Sequence, residues 1–207
     1  MIYAVRLFLI TTLALGSVPL EAQWKSKEVK SWQKEMNTSF KSESESPLKV
    51  KDRIKFKRLP FFKINKRLAL NVTWKRCSDS SWFEMTTTTD RKPIYRKYAT
   101  LFFSIGDDDI ELIAFQPKSL FHKKGWENYL FVPFGDKSNG NRTYGGGRYV
   151  EIRLDLNKKL VLLDFNKSYN PYCAYSERYS CPQIPIENIL DNKINAGVKY
   201  SANKYHH

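Results

Sequence analysis

Hydrophobic residues follow two different periods along the chain, a helical one at the start and a strand-like one afterwards. Trp24, Val29, Trp32, Met36 and Phe40 recur at mostly helical spacings among charged and polar residues. This spacing predicts an amphipathic helix over residues 24–41 that lays one stripe on the rest of the domain. The polar run KSESESP, which closes with a proline, ends the helix.

From residue 68 onward the period changes to two, which is typical of strands with one buried face. The predicted strands are LALNVTWKR, SWFEMTTTT, IYRKYATLFFSI, IELIAF, YLFVPF, VEIRLDL and LVLLDF. Short turns join several of them, which indicates antiparallel pairing. A β-rich body over residues 48–200 after one helix predicts a mainly β fold, an antiparallel barrel or sandwich.

Two hairpins are expected within this body. IYRKYATLFFSI turns at Gly106 and returns as IELIAF. VEIRLDL turns at Asn-Lys-Lys and returns as LVLLDF, and its first strand would direct inward the set Val150, Ile152, Leu154 and Leu156. Since LVLLDF is nearly all apolar, it is predicted to lie deep in the sheet.

The first residues are typical of a cleavable secretory signal. Arg6 precedes an apolar run over residues 7–15, which Gly16 and Pro19 interrupt before Ala22. We expect a signal peptide over residues 1–22 and a single mature domain over residues 23–207, exported to the periplasm or the extracellular space. No later apolar segment reaches the length of about 20 residues that spans a bilayer, so no transmembrane segment is expected after signal removal.

The formal net charge of +14 attracts polyanions, and it indicates an anionic envelope surface as a partner. The segment KVKDRIKFK is predicted as a strand with all its cations on one face: Lys49, Lys51, Arg53, Lys55 and Lys57. Such a row is also a common guard of an edge strand against aggregation. No aromatic stacking platform interleaves the cations, so specific nucleic-acid binding is not expected.

The connection GDKSNGNRTYGGG, residues 135–147, is long for a compact domain and is a candidate ligand-binding loop. Its closing glycines would let a ligand approach the backbone. Arg148 follows them directly, and a guanidinium beside exposed amides is a good receptor for a carboxylate or phosphate. Two alternatives stay open: a loop without a ligand, and a salt bridge from Arg148 to Asp136 or Asp164.

The predicted hairpin would bring several polar residues to one rim. Arg148 begins its first strand and Asp164 ends its second, so the two are expected to be neighbours. The loop after Asp164 would add Tyr169 and Asn170. The sequence therefore predicts a non-enzymatic module that binds a small polar or anionic ligand at this rim.

Catalytic and metal-binding patterns are weak in this chain. The three histidines are His122, His206 and His207, and no motif surrounds them. No cysteine or histidine spacing matches a zinc site, so neither a metal nor a cofactor is predicted. The alternative functions are a hydrolase-like enzyme that uses Asp164 or Glu187 as acid or base, and an envelope-surface protein that binds polyanions through its basic face.

The run TYGGGRY, then DFNKSYNPYCAYSERYSCPQIPIEN and INAGVK, resembles the signature of the domain-of-unknown-function family 1684. Trp32, Phe40 and Ser46-Pro47-Leu48 resemble the family's opening helix and turn. The resemblance implies one structural unit, in an exported bacterial member of a family without an established activity.

The positions that match the family motif are Tyr144, Gly145, Gly147, Arg148, Asp164, Asn166, Tyr169, Asn170, Pro171, Cys173, Cys181, Pro182, Glu187 and Asn188. The candidate ligand-binding residues among them are Tyr144, Gly145, Gly147, Arg148, Asp164, Asn166, Tyr169, Asn170 and Glu187.

Two of the three cysteines share the loop after Asp164. An exported compartment favours oxidation, and turn formers fold this loop back on itself, so a disulfide between Cys173 and Cys181 is predicted. Closing so short a loop would stabilise the fold by roughly 2–3 kcal/mol. The alternative is a pair of reduced thiols that pack as small hydrophobic groups.

Overall fold

A computed structural model describes residues 24–200 of the chain, and the predicted signal peptide lies outside this range. The helices are α1 (Ser26–Lys41), α2 (Val50–Lys55) and α3 (Lys118–Phe121). The strands are β1 (Ala69–Arg76), β2 (Trp82–Glu84), β3 (Ile94–Ile105), β4 (Asp108–Pro117), β5 (Tyr129–Phe134), β6 (Arg148–Arg153) and β7 (Leu160–Asp164). Short 3-10 turns occupy Lys66–Leu68, Phe165–Lys167, Tyr172–Ala174 and Ile186–Asn188.

The strands form one antiparallel sheet that curls into a nearly closed barrel. Their order is β6-β5-β4-β3-β1-β7, and β2 pairs with β3 beside this path. The two end strands, β6 and β7, approach each other across the gap. The predicted mainly β, antiparallel fold with one N-terminal helix is therefore confirmed.

The barrel interior is filled by one side of strands β1 and β3 to β7. Leu130, Val132 and Phe134 of β5 face inward with Val150 and Ile152 of β6. All five side chains are buried, and each contributes roughly 1.5–3 kcal/mol relative to exposure. The period-two pattern of the sequence thus selects the inner face of the sheet.

The two hairpin predictions had different outcomes. β3 and β4 pair as expected, and Gly106 takes a φ of 64° at the turn. β6 and β7 do not pair: β6 is paired with β5 and β7 with β1, because both lie at the ends of the sheet. The prediction that β7 lies deep in the sheet is wrong for the same reason. Leu156 was expected inside but is 56% exposed, since β6 ends at Arg153.

Helix α1 packs the predicted stripe against the C-terminal part of the chain. Val29 and Phe40 are buried, while Trp32 and Met36 are partly buried. The ring of Phe40 meets that of Tyr175 edge to face, with centroids 5.0 Å apart. Within residues 24–200, neither this helix nor the others have the length and apolar character that a membrane span requires.

The basic segment KVKDRIKFK is helical, so its prediction as a strand is wrong. It forms α2, in which the amide of Arg53 bonds to the carbonyl of Lys49. Val50 and Ile54 are four residues apart, a spacing that suits one helical face as well as alternating strand positions. Neither α2 nor its flanks join the sheet, and Val50 and Ile54 are 65% and 76% exposed.

Gly197 is required where the C-terminal segment crosses the loop after β7. Its φ is 75°, and a Cβ there would lie 2.4 Å from the carbonyl oxygen of Ser168. Gly125 has a similar φ of 80° but open space around it. We expect Gly125→Ala to lower the free energy of unfolding by about 1–2 kcal/mol through backbone strain alone.

The matched change Gly197→Ala adds a steric clash and should lower the free energy of unfolding by about 1–3 kcal/mol more. Urea denaturation of both variants measures the difference. Equal losses at the two sites would contradict the close crossing at Gly197.

Candidate functional site

Arg148 is the first residue of β6 and makes a buried ion pair. Its side chain is 0% exposed, and Nη2 donates to Oδ2 of Asp136 at 2.5 Å. The guanidinium also donates to the carbonyl oxygens of Ile194 and Ala196, and it stacks on Phe134 with 5.1 Å between its carbon and the ring centroid. Burial lowers the pKa of Arg148, and Asp136 opposes that shift.

The expectation that Arg148 presents its guanidinium to a ligand is therefore wrong. The salt bridge to Asp136, which the sequence left open as an alternative, is what forms. It joins the glycine loop to residues 194–196 and closes that end of the barrel.

The two candidate glycines of the loop differ in their surroundings. Gly147 has a φ of 85°, and a Cβ there would meet Ile184 at 2.4 Å and the carbonyl of Phe134 at 2.9 Å. Close packing of the protein itself therefore accounts for Gly147. Gly145 is exposed and has no such contact, so it is free to face a ligand.

Asp164, Asn166 and Asn170 are buried and bond within the protein. The Asn166 amide pairs with both the backbone N–H and the carbonyl of Asn65, at 2.8 and 2.9 Å. Asp164 accepts from Trp24 Nε1 at 2.8 Å and from the Asn166 side chain. Asn170 donates to the hydroxyl of Tyr175. These three residues support the loop after β7, and their burial keeps them away from a ligand in solvent.

Glu187 is separate from this group. Its carboxylate forms an ion pair with Lys97, with 2.7 Å between Nζ and Oε1. Desolvation is the largest single effect and raises the pKa of Glu187. The hydrogen bonds to the carboxylate and the charge of Lys97 together outweigh it, so the pKa of Glu187 is lowered. Asp164 accepts from Trp24 and Asn166 instead. Asp164 and Glu187 therefore do not act together as an acid and base pair at one site.

Two clefts border the loop that holds Cys173 and Cys181. The first, which we call the glycine cleft, has a volume of about 510 Å³. The second, the aromatic cleft, has a volume of about 480 Å³. Pro171 and Pro182 form part of both walls. Tyr144, Gly145 and Gly147 line the glycine cleft, whereas Tyr169 lines the aromatic cleft.

The aromatic cleft lies on the outer face of the barrel. Tyr95 of β3, Phe131 of β5 and Tyr149 of β6 pack ring against ring, with centroids 5.8 and 4.6 Å apart. Trp32 of α1 and Tyr129 of β5 also line the cleft. These aromatic residues occupy outward positions that on most strands are polar, because the loop 165–190 covers part of this face.

Glu151 is the carboxylate of the aromatic cleft. It lies on β6 between Tyr149 and Arg153, and its Oε1 accepts from the hydroxyl of Tyr169 at 2.6 Å. Tyr129 also hydrogen-bonds to it. Glu151 is exposed and forms no ion pair within residues 24–200.

The tyrosines around Glu151 are neutral hydrogen-bond donors. Burial raises the pKa of Tyr129 and of Tyr169 well above the usual range, and the negative charge of Glu151 adds to both shifts. Burial also raises the pKa of Tyr95. The cleft therefore combines apolar ring surface with one anionic group whose hydrogen-bond partners stay protonated.

Cys173 and Cys181 are free thiols in the structure, so the disulfide between them stays a prediction. They are nevertheless adjacent: the backbone N–H of Cys173 donates to the sulfur of Cys181 at 3.2 Å, and their side chains hydrogen-bond. No group of three or more His, Cys, Asp or Glu side chains in the described part of the chain is arranged to hold a metal ion.

The sequence reasoning missed Glu151 and the aromatic residues around it. The signal was present in YLFVPF, where apolar residues occupy both faces of one strand: Tyr129 and Phe131 outward, Leu130 and Val132 inward. A strand that is apolar on both sides is covered on both sides. Such a pattern indicates a second packed layer outside the barrel.

These features define a class of protein: a nearly closed antiparallel barrel with an N-terminal helix and two clefts beside a cysteine-containing loop. Residues 54–199 match the family model described as Protein of unknown function (DUF1684). The chain belongs to this family, as the resemblance of its motifs predicted. The match begins at residue 54, so it does not extend to the resemblance noted in α1.

An uncharacterised protein from Haloarcula marismortui, known from a solution NMR structure, is similar in fold and sequence. The two share 30% sequence identity with a TM-score of 0.66, over 84% of this chain and 94% of the other. No match was found among curated proteins. The similarity supports the fold and the family, and neither comparison assigns an activity.

The ion pair of Arg148 provides a stability test. Arg148→Met would leave the Asp136 carboxylate buried without its partner, which should lower the free energy of unfolding by about 3–5 kcal/mol. Urea denaturation measures the loss. Lys137→Met is the matched control, because Lys137 pairs with Asp191 at the exposed surface, where a pair contributes about 0–1 kcal/mol.

The double variant Arg148→Met with Asp136→Leu should lose less stability than Arg148→Met alone, since no buried charge is left without a partner. If Arg148→Met lowers the free energy of unfolding only as much as Lys137→Met does, the structural role of the pair is contradicted.

Proposed function

We propose that this protein is an exported, non-catalytic binding module whose ligand occupies the aromatic cleft. The single observation that carries the proposal is the exposed carboxylate of Glu151 among aromatic rings, which has no ion-pair partner in the described part of the chain. Ligand sites are concave and mostly apolar, with a few polar groups that fix orientation. The cleft volume of about 480 Å³ falls in the range of small-molecule sites.

The chemistry of the cleft favours a ligand that carries a cationic amine. The faces of tyrosine and tryptophan rings attract cations, by about 0.5–2 kcal/mol for each well-placed ring. Glu151 adds a full negative charge, and its tyrosine partners hold the carboxylate in place. An ammonium group would therefore satisfy both features at once.

This proposal replaces the anionic ligand that the sequence predicted. That prediction depended on Arg148, which is buried in its own ion pair. Arg91 is the cation that lines the aromatic cleft, and its Nη1 donates to the carbonyl of Ser180. A small polar ligand remains the proposal, but with the opposite charge at the group that is recognised.

Glu151→Gln tests the proposed function. Choline is the probe, and its uncharged carbon analogue, in which a tert-butyl group replaces trimethylammonium, is the matched ligand control. Calorimetric titration should show binding of choline and weaker binding of the analogue. Glu151→Gln should weaken choline binding about 10- to 100-fold, because it removes the attraction between two opposite charges, which near a protein surface is on the order of a few kcal/mol.

Glu111→Gln serves as the control variant, since Glu111 is exposed on β4 and does not line the aromatic cleft. It should bind choline like the wild type. Equal binding of choline and its analogue, or no binding of either, would contradict a cationic ligand.

A second candidate function is attachment to an anionic surface through α2. Val50 and Ile54 are 65% and 76% exposed on this helix, and Lys51 and Lys55 are exposed beside them. Apolar residues next to cations are the combination that binds an anionic membrane interface. The basic segment therefore remains a candidate for a partner in the envelope, although in a helix rather than a strand.

Charge reversal tests this attachment. The triple variant with Lys51→Glu, Lys55→Glu and Lys57→Glu should lose sedimentation with phosphatidylglycerol vesicles, since each cation near such a surface contributes about 1 kcal/mol. The control triple Lys124→Glu, Lys159→Glu and Lys193→Glu changes the net charge equally at other exposed positions. Equal losses in both triples would show a general charge effect and contradict a specific role for α2.

A further inference from the structure

The backbone around Cys181 is hydrogen-bonded to the segment that follows β2. Its backbone N–H donates to the hydroxyl of Thr88 at 3.1 Å, and its carbonyl accepts from the N–H of Thr88 at 3.0 Å. Pro182 forms a β-bridge with Thr87. Cys181 as a residue is 6% exposed, so it is largely shielded from solvent.

Cys173 lies opposite, on the 3-10 turn Tyr172–Ala174, and is partly exposed. It lines the glycine cleft together with Tyr144, Gly145 and Thr88. The two cysteines therefore differ in access: a reagent in the glycine cleft meets Cys173 first, and Cys181 is behind it.

Three side-chain hydrogen bonds favour the thiolate form of Cys173. The bond from Cys181 is the largest cause, and those from Tyr144 and Thr88 act in the same direction, so that together they lower the pKa of Cys173 to about 7 against desolvation. The bond with Cys173 and burial raise the pKa of Cys181. One thiol is thus prepared to react and the other stays protonated beside it.

We propose that Cys173 and Cys181 form a thiol–disulfide exchange site that opens into the glycine cleft and reacts with low-molecular-weight disulfides. An accessible thiol backed by a buried second thiol in hydrogen-bond contact is the arrangement that such exchange requires. The cleft, at about 510 Å³, accommodates a small peptide disulfide, and the exposed Gly145 and Gly146 leave its backbone open to one. Cys181 also lines the aromatic cleft, but the exchange reaction does not depend on the function proposed there.

The reaction proceeds in two steps that balance. The Cys173 thiolate, whose proton has gone to solvent, attacks one sulfur of the disulfide R–S–S–R. A mixed disulfide forms between Cys173 and one R–S group, and the other leaves as R–S⁻. Cys181 then loses its proton to solvent or to that thiolate and attacks the sulfur of Cys173. The bond from Cys173 to R–S breaks, and a second R–S⁻ leaves.

In total, the two protein thiols are oxidised to one disulfide, and R–S–S–R is reduced to two R–SH. The reverse sequence, with R–SH as the reductant, restores the dithiol. The predicted bond between Cys173 and Cys181 is therefore one state of a reversible pair, rather than a permanent clasp.

Oxidised glutathione is the probe, and intact-mass spectrometry after acid quenching and alkylation is the readout. All variants carry Cys77→Ser, because Cys77 lies on a separate segment, near Thr100, and would add an unrelated thiol. The dithiol protein should convert to the disulfide without a lasting glutathione adduct. Cys181→Ser should accumulate the adduct on Cys173, and Cys173→Ser should show no adduct on Cys181 over the same time.

Reversibility separates exchange from a structural bond. Excess reduced glutathione should return the oxidised protein to the dithiol. A disulfide that survives this treatment would show a structural clasp and overturn the proposal. Two other results would also overturn it: no oxidation by excess oxidised glutathione, or equal adduct formation on Cys181 in Cys173→Ser and on Cys173 in Cys181→Ser.

A pH profile tests the chemical basis of the site with both thiols in place. The rate at which iodoacetamide alkylates Cys173 should rise with pH through a midpoint of about 7, because only the thiolate reacts. Tyr144→Phe removes one hydrogen bond to the thiolate and should move the midpoint upward and lower the rate at neutral pH. An unchanged midpoint in Tyr144→Phe would contradict the role of Tyr144 as a positioning residue.

Discussion

The buried pair of Arg148 and Asp136 is the interaction on which the rest of the structure depends. Moving two charges out of water costs several kcal/mol per ion, and their attraction offsets this only when further hydrogen bonds satisfy them. Here the carbonyls of Ile194 and Ala196 accept from the guanidinium, and the amide of Ser138 donates to Asp136. The network joins the glycine loop, the start of β6 and the C-terminal segment at one point. It helps to fix the loop that forms one wall of the glycine cleft against the barrel.

Side-chain amides provide the second set of constraints. The loop after β7 has little regular structure, and a buried backbone without partners is costly. Asn166 pairs with the backbone of Asn65, and Asn188 bonds to the backbone of Ile113 and Pro133. Each amide acts as a short substitute for a strand pairing. They allow the loop to cover the outer face of the barrel, where Phe131 and Tyr149 are buried, and they place Cys173 and Cys181 between the two clefts.

The sequence predicted most strands correctly because apolar and polar residues alternate along a strand that has one buried face. It also contained the position of Arg148: the same alternation that directs Val150 and Ile152 inward directs Arg148 inward, two residues earlier. Arg148 was expected to be exposed because it is charged, although the alternation predicted that it faces inward. The partners of β6 and β7 were not predictable in this way, because adjacency along the chain favoured a hairpin between them, whereas β6 pairs with β5 and β7 with β1. Nor was α2, whose apolar residues fit either period.

The same distinction explains why the candidate site was predicted only in part. Motif residues such as Asn166, Asn170 and Gly147 are needed where segments distant in sequence meet, and a single sequence does not separate that need from ligand binding. The residues that face the clefts are set by three-dimensional packing. Cys173 lines one cleft and Cys181 the other, so the bond between them, when formed, belongs to the wall that both clefts share. Oxidation of the pair would fix the 3-10 turn of Cys173 to the segment of Thr88, and thereby the position of Tyr172 in the aromatic cleft. The chemistry of one cleft is thus mechanically linked to the shape of the other.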